Sequence, residues 1–258
     1  ATLRGANEAG GEENIAVGYH PIEFLLWGQD DTDPSNGLPG QRSFTDYLTE
    51  GGTAENQVRR GEYLDLLGDL LLDDLSTVLV AWSSGDEDNY RAAFLSDGWE
   101  QALEKMLTGM IILSGFETGG ERLQVALDNG DQEDEHSCFS DNTHRDMVQD
   151  VRGVQNVWLG EYAALDAADS VSGTGVREVV ASLEPDLAEQ ISEQIAESLR
   201  LAEALRPTQD DPPFDVLISI GNTEGNAKIQ ALIDSLRAQE NLLSQAFAAF
   251  GLNVPEPE

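Results

Sequence analysis

An apolar run near the start of the chain carries one imidazole and one carboxylate three residues apart. It reads Gly18-Tyr19-His20-Pro21-Ile22-Glu23-Phe24-Leu25-Leu26-Trp27-Gly28-Gln29-Asp30. A buried charge is costly unless it is paired or bound to a metal, so His20 and Glu23 in such surroundings point to an ion pair or to two ligands of one metal ion. The chain holds 3 histidines, and each has a carboxylate three residues away: His20 with Glu23, His136 with Glu133, and His144 with Asp141. On a helix that spacing puts both groups on one face, which suits joint coordination. Acidic residues number 49 of 258, so such neighbours also arise by chance. His20 and Glu23 stand out by their apolar surroundings. His136 and His144 stand out because they lie in a loop rich in oxygen ligands, with Cys138 between them.

Several other chemistries have no signature here. The metalloprotease helix pattern His-Glu-x-x-His is absent, as are a Walker-type phosphate loop and a Gly-x-Ser-x-Gly nucleophile elbow. Cys138 beside a histidine has the makings of a nucleophile pair, but a small internal hydrophobe is the simpler reading. Trp27, Trp82, Trp99 and Trp158 read most simply as core.

The elements that must position these groups are helices. Ile15, Tyr19, Ile22 and Leu26 make a stripe at spacings of four, three and four, predicting a helix over 14–27. Pro21 complicates it. Either His20 caps a helix starting at Pro21, or a running helix bends there. Glycines and prolines mark 28–53 as a long loop with a short helical piece near Phe44–Leu48. The clearest helix spans 54–83, with Tyr63, Leu66, Leu67, Leu70, Leu71, Leu75 and Val78 in helical period and Asp65, Asp69 and Asp73 on another face. A second long run covers 89–113, weakened by Gly109 and Gly115 and open to a break at Gly119-Gly120, with helix resuming over 121–127. An acidic loop at 128–146 leads into a helix over 143–165, capped by Asp141, Asn142 or Thr143. Helices over 184–206 and 224–250 flank a turn at 210–213 and a short piece at 214–220. No two-residue alternation appears. The expected fold class is all-α, a set of helical bundles, with residues 1–53 forming one part and 54–258 a helical bundle domain.

Composition bounds the partners. Lys+Arg 14 against Asp+Glu 49 gives a formal net charge of -35, a field that repels nucleic acid and anionic lipid and suits salty surroundings. Cys138 is the only cysteine, so an internal disulfide is impossible. No run approaches the length of apolar residues that spans a membrane. The chain opens in mid-flow at Ala1 rather than Met, which reads as a processed or truncated product.

The stretch Gly18-Tyr19-His20-Pro21-Ile22-Glu23 resembles the Gly-x-His-x-x-Glu motif of the imelysin family, and the likeness continues through Asp30. A second block, Asp134 to His144, and Arg60-Gly61-Glu62-Tyr63-Leu64 between them are also similar to this family, so the resemblance covers most of the chain. It implies two helical bundles with a site between them, holding His20 and Glu23, with the 136–144 loop close by. It implies a periplasmic or outer-membrane-associated protein, linked to iron uptake and working with iron-uptake components. Members are usually longer at the amino-terminal side, so a separate amino-terminal fragment of the same precursor is an expected partner. The metal expected is iron rather than zinc, since imidazole and hard oxygen ligands suit iron, and the isolated protein need not carry it. The residues offered are His20 and Glu23, then His136, Asp141 and His144, with Cys138 as a bystander. The competing reading is a metallopeptidase in which His20 binds zinc and Glu23 is a ligand or general base. A third is a non-enzymatic module whose His and Glu hold a small ligand or only an interface.

Overall fold

The computed structural model describes residues 3–11, 14–209 and 212–252, the side chain of Ser35 excepted. Within them every long apolar stripe of helical period is a helix. The order is α1 (Tyr19–Trp27), α2 (Gln57–Ala81), α3 (Tyr90–Ser96), α4 (Trp99–Ile111), α5 (Val125–Asn129), α6 (Thr143–Leu159), β1 (Glu161–Tyr162), β2 (Val171–Ser172), α7 (Val176–Ala181), α8 (Pro185–Glu203), α9 (Phe214–Ile218) and α10 (Thr223–Ala249). A π-helical stretch, Ile112–Gln124, joins α4 to α5 without a break. The fold is all-α, as expected. Among the described residues the departure is an exposed antiparallel pair, Glu161 opposite Ser172 and Tyr162 opposite Val171, too short for alternation to show in the sequence.

Several boundaries differ from those read in the sequence, each for a local reason. α1 starts at Tyr19 and runs straight through Pro21, because the prolyl nitrogen falls in the first turn, where amide protons have no intrahelical partner to lose. His20 therefore lies inside the helix, and Gly18, at φ 96, is its N-cap. The run over 89–113 divides at Gly98, whose φ of 91 only glycine adopts readily. Gly119 and Gly120 break nothing. Their stretch winds as a π-helix, and a Cβ added at Gly119 would stand 3.6 Å from the Leu236 side chain of α10. α6 ends at Leu159 rather than 165, because Gly160 turns left-handed. Asp210 and Asp211 of the predicted turn lie outside the described residues.

Contacts group the chain into two units, residues 1–96 with 137–141, and residues 97–136 with 142–258. α2, which the sequence reading places with the later domain, packs in the first. There Leu67 and Leu25 are buried, Tyr63 donates from its hydroxyl to Ala16 O at 2.7 Å, and Arg4 pairs with Asp74.

The second unit carries most of the core. One cluster gathers Leu107, Met110, Trp158, Ile191, Leu243 and Phe247, and another gathers Leu123, Met147, Phe214, Ile229, Leu232 and Leu236. Where the helices pass from one cluster to the other they carry polar residues. Gln239 Nε2 donates to Ser114 Oγ at 2.7 Å, and Ser114 Oγ donates to Met110 O at 2.6 Å. Ser198 and Ser235 share a hydroxyl–hydroxyl bond of 2.9 Å, and Gln194 donates to Ser235 Oγ at 2.7 Å. A bonded polar layer of this kind fixes the register of packed helices.

Gly160 yields a stability prediction. Its φ is 67, and a Cβ added there would meet the backbone nitrogen of Gly175 at 2.6 Å. Gly160→Ala therefore incurs both the left-handed penalty and a backbone clash, and is expected to lower unfolding free energy by about 2 kcal/mol or more. Urea denaturation followed by circular dichroism checks it, and an unchanged midpoint would contradict it.

Candidate functional site

The stretch that carries His20 and Glu23 is held from both ends. Before it, Ala16 accepts the Tyr63 hydroxyl bond described above, and the amides of Ala16 and Val17 donate to Asn7 Oδ1 at 2.9 and 3.2 Å. After it, Gly28 closes the helix at φ 83, Arg42 N donates to Trp27 O at 2.7 Å, and the Tyr47 hydroxyl donates to Leu25 O. Buried Asp30 accepts from Thr32 N and Thr32 Oγ1 at 3.0 and 2.9 Å, turning the chain. Arg60 secures the same frame. Its Nη1 donates to Asp46 O at 2.6 Å, and its guanidinium lies over the Tyr47 ring at 5.8 Å.

Inside this frame His20 Nδ1 donates to Glu23 Oε2 at 3.3 Å. The other oxygen, Oε1, accepts two bonds from Ser140, one from its amide at 3.0 Å and one from its hydroxyl at 2.5 Å. The Glu23 side chain is 11% exposed and that of His20 is 41%. Three donors thus converge on a nearly buried carboxyl group, satisfying it where water is largely excluded. In the neutral ring, Nδ1–H on the carboxylate puts the lone pair on Nε2, the tautomer that suits a metal ligand.

Ser140 was not among the residues singled out from the sequence. It belongs to the five residues, 137–141, that return to the first unit. Phe139 holds this loop further. Its carbonyl accepts from Gly40 N at 2.9 Å, and its ring meets Phe24 edge to face at 5.1 Å. Arg42 covers the same Phe24 ring at 5.3 Å. Asp141 is buried and adopts φ 53, a conformation aspartate tolerates better than most residues. A serine in an acidic loop has no periodicity to reveal it. Only its place in the second family-like block was visible.

The remaining candidates stand in the second unit. His136 Nδ1 donates to Asp146 Oδ2 at 3.0 Å, ten residues on, a partner that spacing did not suggest. His144 is half-buried in the first turn of α6. Beside the His136–Asp146 pair lies Asp150, which accepts from Thr118 Oγ1 at 3.1 Å. Among the described residues no group of three or more His, Cys, Asp or Glu is placed to hold a metal ion. The donor set at His20 fits a metal in one respect. His20 supplies an imidazole oriented by a carboxylate, and both Glu23 oxygens accept hydrogen bonds.

Asp150 yields a pH prediction. Burial raises its pKa above the ordinary 3.8, against the lowering effects of the Thr118 bond and of His136. The folded protein then keeps this proton to a higher pH than the unfolded chain. Between the two pKa values the folded form binds more protons, so stability falls as pH rises, and above the folded value the loss is complete. Asp150→Asn keeps an acceptor for Thr118 and removes the charge. Its melting temperature is expected to exceed that of the parent at neutral pH and to match it below pH 3.8. Equal melting temperatures at neutral pH would refute the assignment.

The fold and this site define a class, an α-helical protein that presents a carboxylate-backed imidazole from the start of a short apolar helix. The imelysin family model, Peptidase M75, matches residues 2–243, and the chain belongs to the imelysin family. A solved structure described as an iron-regulated protein A precursor from Parabacteroides distasonis is similar, with a TM-score of 0.62 and 19% sequence identity over 92% of this chain and 65% of that one. The chain therefore spans less than two thirds of that relative's length. A search of curated proteins finds no match. No described helix is long and apolar enough to cross a membrane.

Proposed function

We propose that this protein binds a metal ion through His20, with iron favoured over zinc, and serves iron uptake as an exported protein, periplasmic or associated with the outer membrane. The observation that carries the reading is the His20–Glu23–Ser140 arrangement. A buried carboxylate accepts a hydrogen bond from Nδ1 and orients the ring, and Nε2 is the nitrogen that would ligate a metal. The description of the solved relative as an iron-regulated precursor supports iron and export. When bound, the metal would supply Lewis acidity or be the cargo itself. This chain's own residues hold the ring through Glu23 and hold Glu23 through Ser140. Asp141, in the same returning loop as Ser140, is a further candidate donor under this reading, and iron-uptake components are the expected partners.

The test is metal content after dialysis, by elemental analysis, on the parent and His20→Ala side by side. Near-stoichiometric iron in the parent, reduced tenfold or more in affinity in the variant, is expected, a change of about 1.4 kcal/mol or more. Indistinguishable metal titrations of the two proteins would remove the metal from this site. The family's peptidase description favours a second reading, in which Glu23 is the base that activates water. Glu23→Gln would then lose turnover, and equal turnover would dispose of that mechanism.

A further inference from the structure

A hollow of about 640 Å³ opens to solvent between the end of α8 and the start of α10, with the chain that leaves α8 as its third wall. The two helices run antiparallel. Gln194 and Ser198 of α8 bond Ser235 of α10, and further along α8 the facing residues of α10 come earlier in the chain. Leu201, Ala204, Ala227 and Ala231 give the hollow an apolar lining. Its volume lies in the range of small-molecule sites.

The charges decide what fits. Arg200, Arg206 and Lys228 line the hollow against two carboxylates, Glu203 and Glu224. That is a positive balance in a chain whose net charge is -35. Arg200 is committed to Glu197, which it holds through two bonds of 2.7 and 2.6 Å, and Glu203 pairs with Arg152 at 3.2 Å. Arg206 is exposed and its guanidinium forms no ion pair among the described residues. A guanidinium fork matches a planar carboxylate at two points. The small positive balance suits a monoanion better than a phosphate dianion, which the surrounding acidic field repels twice as strongly. We propose that this hollow binds a small organic monocarboxylate. Arg206 takes the carboxylate, Lys228 adds positive potential, and the hydrocarbon body lies against Leu201, Ala204, Ala227 and Ala231. This inference does not depend on the metal reading.

The whole chain is titrated by calorimetry with octanoate and, separately, with octanamide, which has the same hydrocarbon body and no charge. The acidic surface repels anions, so adsorption to apolar patches elsewhere would favour the amide. Octanoate is instead expected to bind on the order of tenfold tighter or more. Arg206→Gln should erase that preference. Arg206 is exposed, so the variant is expected to keep its parent's circular dichroism. Ala231→Phe, also at an exposed position, should fill the hollow and weaken binding of both probes. Equal affinities for octanoate and octanamide, no heat with millimolar octanoate, or octanoate binding that survives either substitution would overturn the proposal. So would inorganic phosphate that binds as tightly as octanoate and is lost in Arg206→Gln, because the site would then take a bare anion rather than a carboxylate with a hydrocarbon body.

Discussion

Trp158→Ala is expected to destabilise the second unit by about 3–5 kcal/mol, the range for deleting a large buried aromatic side chain. Trp158 is 1% exposed and sits in the cluster with Leu107, Ile191 and Phe247. Its indole nitrogen donates to Ser192 Oγ at 3.0 Å, and Ser192 Oγ donates onward to Ala188 O at 2.8 Å. The alanine variant therefore leaves a cavity, while the serine keeps a partner for its proton. Trp158→Phe separates the two contributions. It retains most of the apolar volume and loses the indole bond, so its cost should fall near 1–2 kcal/mol. Urea denaturation followed by circular dichroism measures both. Equal costs for the two variants would show that the hydrogen bond, not the packing, dominates at this position.

Glu23→Ala is expected to free the 137–141 loop. The substitution removes the acceptor of both Ser140 bonds and the partner of His20 together. Hydrogen bonds to a charged group contribute about 1.5–3 kcal/mol each, so amide exchange at Ser140 should accelerate on the order of tenfold or more. Ser140→Ala loses only the hydroxyl bond and should fall between parent and Glu23→Ala. Glu23→Gln divides the two roles differently. Its amide oxygen can still accept from Ser140, but its NH2 then faces His20 Nδ1–H, which drives the imidazole to the other tautomer. Slow exchange at Ser140 together with an altered imidazole nitrogen signal in the NMR spectrum of that variant is the expected combination. Unchanged exchange in Glu23→Ala would mean that Phe139 and Gly40 suffice to hold the loop.

The helices were legible because their signal is periodic. α2, α8 and α10 follow apolar stripes that survive any local ambiguity, and their ends lie within about three residues of those read from the sequence. The errors fall where one residue's backbone decides. Gly98 splits a run whose side chains keep helical spacing on both sides, and a π-helical stretch lets Gly115, Gly119 and Gly120 sit inside a continuous helix. The pairing of His20 with Glu23 was legible because both lie within one turn of helix. Ser140 was not, since no local rule links it to α1 across 117 residues. His136 likewise bonds Asp146, ten residues away, which no three-residue spacing reveals.

That 117-residue span bears on the order in which the molecule assembles. During synthesis α1, α2 and α3 are made long before residues 137–141, and α4, the π-helical stretch and α5 emerge in between. The first unit cannot reach its final set of contacts until the chain has grown past Asp141. Closing so long a loop costs entropy before its hydrogen bonds form, so the Glu23–Ser140 contact belongs to the late side of the folding barrier. Loss of Glu23 should then leave the folding rate nearly unchanged and appear in a faster unfolding rate.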